Sequence, residues 1–283
     1  TTNTIRRFFD LRKEEVKAYL SERMIDFLVK NGFGYIKIDY NDAYGIGADG
    51  AESLGEGGRQ VAEESLLWLK RIQDAVDGMG IENCSSGGSR IEPMRMNMVS
   101  MCSFSDAHEC AEIPFVAANV SRVIPARQSQ IWVVLRGKDT PSRTVYSLCA
   151  AMMGRVCLSG DVLAMAPEKT RLICEGLAFY RAVRAIVAKG DIVNIDCNVE
   201  YYRAPCGRQI YEKQLGSERL VLVHALNSRE EVCVPAAGWR LARAFCDLPC
   251  RMEDGVLHIG CKEEGSDGGT LFRAGAFLLQ KEQ

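Results

Sequence analysis

Two aspartates stand where short apolar stretches turn polar, and their surroundings suit chemistry that needs a pair of carboxylates. In Gly34-Tyr35-Ile36-Lys37-Ile38-Asp39-Tyr40-Asn41, Lys37 and Asp39 lie two residues apart. On a β-strand this spacing puts both side chains on one face. Charged groups on an inward face are costly unless paired or solvated, so a strand end at a solvated rim is the expected setting. There the ammonium would hold Asp39 ionised, as a nucleophile requires; a structural salt bridge is the alternative. The second acid, Asp106, follows the apolar stretch that ends in Ser103-Phe104-Ser105. Glycoside cleavage divides its work between two such acids. One attacks the anomeric carbon, while the other protonates the leaving oxygen and then activates water. His108 and Glu109 either tune Asp106, touch the leaving group, or form a surface pair at the start of the next helix.

Between the two acids lies Asn83-Cys84-Ser85-Ser86-Gly87-Gly88-Ser89-Arg90. Paired glycines let backbone amides approach a ligand, and a guanidinium can donate a fork of hydrogen bonds to vicinal hydroxyls. Alone, Gly-Gly after a strand reads equally as a turn. Gly45-Ile46-Gly47-Ala48-Asp49-Gly50 matches the G-x-G-x-x-G pattern of dinucleotide sites, but several loop residues separate it from the next helical pattern. The expectation is a rim loop rather than a nucleotide site. Asn119-Val120-Ser121 fits a glycosylation sequon inside a predicted helix and reads as coincidence. Trp68 and Trp132 read as core.

The elements that must position these residues alternate strand and helix. Arg7 to Asp10 reads as a strand end, followed by a helix with Val16, Leu20, Met24, Phe27 and Leu28 on one face and Asn31-Gly32 as its stop. Tyr35 to Asp39 is a strand. A helix follows with Val61, Trp68, Ile72 and Met79 on one side. Strands are predicted at Ile81 to Cys84, Val99 to Phe104, Ile131 to Leu135 and Val156 to Ser159. Helices are predicted at Ile113 to Val123, Thr144 to Met153 and Pro167 to about Val187, the last opened by proline in its first turn. About six strands thus precede residue 160, with polar C-terminal ends at Asp10, Asp39, Cys84-Ser85-Ser86, Ser105-Asp106, Arg136 and Ser159-Gly160-Asp161. A parallel barrel carries its chemistry at that rim. After Lys189-Gly190, short strands at Leu220 to Ala225, Glu231 to Val234, Val256 to Ile259 and Ala276 to Gln280, with a loop at Gly265 to Gly269, read as an antiparallel β-domain.

The fold class expected is therefore α/β: a (β/α)8-type barrel at 1–189, then a small β-sandwich domain at 190–283. An eight-strand barrel takes about 250 residues, so 1–189 reads as strands 3–8, either an open variant or a barrel without its first strands. The 283 residues are 47% hydrophobic and 25% charged, enough to bury a sizeable core, and the formal net charge of −2 comes without a basic stripe. Nucleic acid is excluded as a partner, and a neutral polar substrate fits better than a polyanion. No apolar run reaches the ~18 residues of a membrane helix, and no signal peptide is visible. Twelve cysteines occur without a CxxC pair. They read as small buried thiols in a reducing cytoplasm rather than as zinc ligands or disulfides.

Taken in order, the three motifs resemble glycoside hydrolase family 36, the microbial α-galactosidases or melibiases, and more distantly family 27. The family's K-W-D-M-N strand is matched by Lys37-Ile38-Asp39-Tyr40-Asn41, and its C-x-x-G-G-x-R turn by Cys84-Ser85-Ser86-Gly87-Gly88-Ser89-Arg90. Its S-D-x-T-D strand end is matched by Ser105-Asp106-Ala107-His108-Glu109, and its D-L-x-x-P-E-V lead-in by Asp10-Leu11-Arg12-Lys13-Glu14-Glu15-Val16. The resemblance covers about residues 5–190. It implies a retaining α-galactosidase with Asp39 as nucleophile and Asp106 as general acid/base. Lys37, Asn41, Cys84, Gly87, Gly88, Arg90 and Asp10 become substrate-binding candidates, and no metal or organic cofactor is implied. Departures fall at Ile38 for Trp, Asp42 for Arg, and His108 and Glu109 for Thr and Asp; they bear on preference at C2, C4 or C6 of the sugar. An α-galactosyl transferase, an α-N-acetylgalactosaminidase, and a non-catalytic fragment or carbohydrate-binding module are the alternatives. The partner expected is a small-molecule or oligosaccharide substrate, with neither nucleic acid nor membrane, and a homo-oligomer is compatible with this reading. Retention requires carboxyl groups roughly 5–5.5 Å apart, and an acid/base whose pKa is raised.

Overall fold

The computed structural model describes residues 8–39, 41, 45–104, 106, 109, 111–200, 205–261, 266–267 and 269–282. Arg7, Tyr40, Asp42, Ser105, Ala107, His108 and Gly265, named above, lie outside the described residues. By contact density the chain divides into two compact units, 1–106 and 107–283.

In the first unit, α1 (Glu14–Leu20) runs through a π-turn at Ser21–Ile25 into α2 (Asp26–Asn31). Gly32 ends the helix in the left-handed region, as Asn31-Gly32 predicted, and its N–H returns to the Val29 carbonyl. The strands β1 (Tyr35–Asp39), β2 (Gly80–Cys84) and β3 (Met101–Ser103) pair in that order, all parallel. Between β1 and β2 runs α3 (Leu54–Ala75), whose first turn is capped by Ser53 accepting the Glu56 N–H. Val61, Trp68, Leu69 and Ile72 recur at helical spacing and are buried, whereas Met79 lies beyond the helix end. A short helix, α4 (Pro93–Met96), precedes β3. Phe8 to Asp10 is not a strand: both oxygens of Asp10 go to the Arg12 guanidinium at 2.8 Å, in the turn that leads into α1.

The second unit begins with α5 (Ile113–Val120), then β4 (Ser129–Leu135), α6 (Pro141–Ala151), β5 (Arg155–Gly160) and α7 (Pro167–Lys189). β4 and β5 are parallel. The antiparallel part has one sheet ordered β10 (Trp239–Cys246), β14 (Thr270–Lys281), β8 (Glu218–Leu226), β7 (Gly207–Leu215), β6 (Asp191–Val199). A second is ordered β11 (Cys250–Glu253), β12 (Val256–Ile259), β9 (Val232–Pro235), and a short β13 (Ser266–Asp267) pairs with β14. Val221, Val223 and Phe277 of the first sheet meet Val232, Val234, Leu257 and Ile259 of the second in one apolar cluster. That inward alternation is what makes a two-sheet sandwich.

Parallel βα units and an antiparallel sandwich are thus both present, as expected. The strands β6, β7, β10 and β11 went unread in the sequence, as did the short β13 inside the expected loop. β6 and β10 expose much of their length and β7 buries Gln209, Glu212 and Lys213, so these three carry no clean apolar period, whereas β11 alternates but is only four residues long. The cysteines also differ from expectation: Cys84, Cys102 and Cys149 are buried, but Cys174, Cys197 and Cys233 are exposed. No helix among the described residues is long and apolar enough to cross a membrane.

Candidate active site

The parallel ladder fixes what stands beside each acid. Lys37 lies opposite Glu82, and Asp39, the last residue of β1, lies opposite Cys84, the last residue of β2. Across this register Lys37 Nζ pairs with Glu82 Oε1 at 3.3 Å, and the Tyr35 hydroxyl donates to Glu82 Oε2. Glu82 is 3% exposed and held between two β1 side chains. Burial pulls the Lys37 pKa down, but the charges of Glu82, Cys84 and Asp39 outweigh it and hold the ammonium above its ordinary value. The sequence reading aimed that cation at Asp39. The ladder instead gives it to Glu82 first, because Glu82 is the directly opposed residue and Asp39 is one pleat further on. Glu82 itself was missed; its signal was an acid in the middle of an apolar strand pattern, Ile81-Glu82-Asn83-Cys84.

The turn after β2 is closely tied. The Asn83 amide donates to the Arg90 carbonyl at 2.7 Å, closing the segment, and the Ser89 N–H reaches the Ser85 carbonyl at 3.1 Å. Asn41 reaches over from the end of β1: its side-chain oxygen accepts the Ser86 N–H at 2.7 Å and the Ser86 hydroxyl at 3.2 Å. Ser86, with φ of 44°, and Gly87, with φ of 80°, both take left-handed backbone. Gly88 faces β3 so closely that an added Cβ would stand 2.6 Å from the Phe104 carbonyl oxygen. The glycine therefore seats the turn directly on the strand end that leads to Asp106.

Cys84 links the two acids electrostatically. Burial raises its thiol pKa, the Gly87 N–H and the Lys37 charge oppose this, and the charges of Asp39 and Asp106 both add to it. Both carboxylates therefore act on one buried sulfur at the end of the central strand. Asp39 and Asp106 are themselves exposed.

Asp10 and Glu109 both have partners within the protein. Asp10 is engaged by Arg12, which lowers its pKa, and Arg12 also donates to the Asp49 carbonyl at 2.6 Å. Asp10 and Arg12 thus anchor the Gly45–Gly50 loop beside an open cavity of about 810 Å³ that Lys13, Gly47 and Gln60 also line. The glycines of that loop serve packing: a Cβ on Gly47, whose φ is 136°, would lie 1.9 Å from the Leu54 carbonyl oxygen at the start of α3. Glu109 pairs with Arg136 at the end of β4, and Arg136 is also 3.5 Å from Asp161 after β5. The sequon residues bond within their own helix, Asn119 to the Phe115 carbonyl and Ser121 to that of Ala118.

The Melibiase family profile matches residues 2–190. The chain belongs to the Melibiase family. Solved structures of similar fold include a variant of the GH36 α-galactosidase AgaA of Geobacillus stearothermophilus in complex with 1-deoxygalactonojirimycin (TM-score 0.77, 17% identity, 99% of this chain and 41% of that one). AgaB of the same organism aligns with a TM-score of 0.75 at 16% identity, over 99% of this chain and 40% of its own. The α-galactosidase of Lactobacillus brevis aligns at 0.74 and 16%, over 97% and 39%. This Melibiase chain thus spans about 41% or less of the length of these structures. No curated protein matches it in sequence.

Proposed function

We propose that the chain carries the catalytic pair of a retaining glycosidase acting on terminal α-galactosides. Asp39 attacks the anomeric carbon as Asp106 gives its proton to the departing glycosidic oxygen. The resulting glycosyl ester on Asp39 is then cleaved by a water that Asp106 deprotonates, so two inversions give net retention. The observation that carries the reading is the ordered rim: Asp39 ends β1, Cys84 and the Gly87-Gly88 turn end β2, and Asp106 follows β3, with Cys84 feeling both acids. Lys37, Asn41, Cys84, Gly87, Gly88 and Arg90 then form the sugar-binding side. The Lys37 ammonium, kept charged by Glu82, can donate hydrogen bonds to sugar hydroxyls.

In this reading β1 to β5 belong to the later strands of a (β/α)8 barrel. The boundary to the β-sandwich falls at 189–190, a placement supported by the end of α7 at Lys189 and by the extent of the family match. The exposed thiols Cys174, Cys197 and Cys233 favour a reducing, cytoplasmic setting.

AgaA variants were crystallised with raffinose and stachyose, which makes these the first oligosaccharides to try. The deciding experiment follows an aryl α-galactoside and its N-acetylated counterpart by proton NMR, with acceptor sugars added in parallel. The α-anomer of galactose as first product supports the reading. The β-anomer would replace retention by inversion, preference for the N-acetyl sugar would move the substrate, and dominant transfer to the acceptor would make the protein a transferase. No turnover of any glycoside, even with the relatives' N-terminal region supplied, would overturn the catalytic reading in favour of a binding module.

A further inference from the structure

On the outer face of the β-sandwich, far along the chain from the rim acids, three side chains of different chemistry converge. Cys233 of β9 and His258 of β12 are opposed partners in the antiparallel ladder. The alternation of β9 buries Val232 and Val234 and leaves Cys233 exposed; that of β12 buries Leu257 and Ile259 and turns His258 outward. Glu231, just before β9, joins them. His258 Nδ1 is 3.1 Å from Glu231 Oε2 and 3.6 Å from Cys233 Sγ, and Cys233 Sγ is 3.8 Å from the same Glu231 oxygen. Among the described residues this is the one group of three His, Cys, Asp or Glu side chains with donor atoms this close.

We propose that Glu231, Cys233 and His258 bind a zinc-class divalent cation through Oε2, Sγ and Nδ1. The triangle of donors is the argument. Bond lengths of ~2.3 Å to sulfur, ~2.05 Å to nitrogen and ~2.0 Å to oxygen at tetrahedral angles require edges of ~3.6 Å for S···N, ~3.3 Å for N···O and ~3.5 Å for S···O. The observed 3.6, 3.1 and 3.8 Å lie within about 0.3 Å of these, so one face of a tetrahedron already stands on the sheet. A thiol, an imidazole and a carboxylate are also the donor types that select zinc over magnesium or calcium. Three protein donors leave the fourth vertex to a water.

The carboxylate is steered for this role. Arg251 Nη1 holds Glu231 Oε1 at 2.8 Å, while Arg251 Nε bonds Glu253 Oε2 at 3.0 Å. The other oxygen, Oε2, faces the cysteine and the histidine. Such outer hydrogen bonds orient a ligand carboxylate. Binding forms one metal–sulfur, one metal–nitrogen and one metal–oxygen bond. The thiol proton leaves to solvent, and the imidazole carries its remaining proton on Nε2. Neither oxidant nor reductant is needed. The distance in sequence explains why the cysteine spacing gave no sign of it: Cys233 and His258 are 25 residues apart and meet only through strand pairing.

The test titrates the full chain, reduced with a phosphine, with cobalt(II) as spectroscopic stand-in. The proposal expects one equivalent bound with a thiolate-to-cobalt charge-transfer band and strong visible bands of tetrahedral cobalt, all displaced by zinc. Cys233→Ser should remove the charge-transfer band, and His258→Ala or Glu231→Gln should weaken binding by at least about tenfold. Cys174→Ser and Cys197→Ser, at other exposed thiols, should change nothing. A band that survives Cys233→Ser, or that is lost in either control, overturns the proposal. Should a variant fail to fold, iodoacetamide labelling of the unsubstituted chain decides. Zinc must protect Cys233 selectively, and equal labelling with and without zinc overturns the site.

Discussion

Asp39 and Asp106 take their proposed roles from their places at the strand ends. Asp39→Asn removes the attacking oxygen charge and should lower turnover of every glycoside by several orders of magnitude. Asp106→Ala should spare aryl substrates whose leaving group needs little protonation, while losing unactivated oligosaccharides; steady-state kinetics on both classes checks the division, and equal losses throughout would refute it. Glu82 is buried between Lys37 and Tyr35, so in the proposed function it positions and charges Lys37. Because Glu82 helps hold the Lys37 pKa up, Glu82→Gln should lower it and move the alkaline limb of kcat/KM toward lower pH by about one unit or less. A purely structural Glu82 would lower the profile without shifting that limb.

At the scale of elements, glycines decide how closely the site loops seat. Gly88→Ala places a methyl 2.6 Å from the Phe104 carbonyl oxygen, forcing the turn off the strand end that leads to Asp106. The expected cost is about 1–3 kcal/mol of stability together with a loss of kcat, measured by thermal denaturation and kinetics. Gly47→Ala meets backbone at 1.9 Å and an unfavourable φ of 136° besides, so it should destabilise the loop held by Arg12. Within the G-x-G-x-x-G pattern it is Gly47 that packs against the start of α3.

For the molecule as a whole, acid stability has an identifiable contributor in the second unit. His224 on β8 is fully buried and meets the ring of Tyr146 on α6 edge-on at 5.0 Å. Burial pushes its pKa down to about 3 from an ordinary 6.5, against a small opposing effect of the Tyr146 backbone. A depressed pKa means the folded state refuses a proton that the unfolded state accepts. The stability it supports is complete above pH ~6.5 and falls as pH drops toward ~3, at about 1.4 kcal/mol per pH unit within that window. His224→Phe should flatten this part of the profile in chemical denaturation across pH; an unchanged slope would assign acid sensitivity elsewhere.

The sequence by itself carried most of the strand–helix alternation up to α7 and placed Asp39, Cys84 and Asp106 at or just past strand ends. Apolar runs ending in Asp39, Cys84 and Asp106 are local patterns, and local patterns survive in one dimension. It also carried the antiparallel texture after residue 190, though β6 and β10 escaped because exposed strands lack an apolar period. Only the tertiary structure decided partners. Lys37 pairs with Glu82, Glu109 with Arg136, and Cys233 with His258. Each is a matter of strand register or loop seating, and register depends on long-range pairing that no stretch of sequence specifies alone.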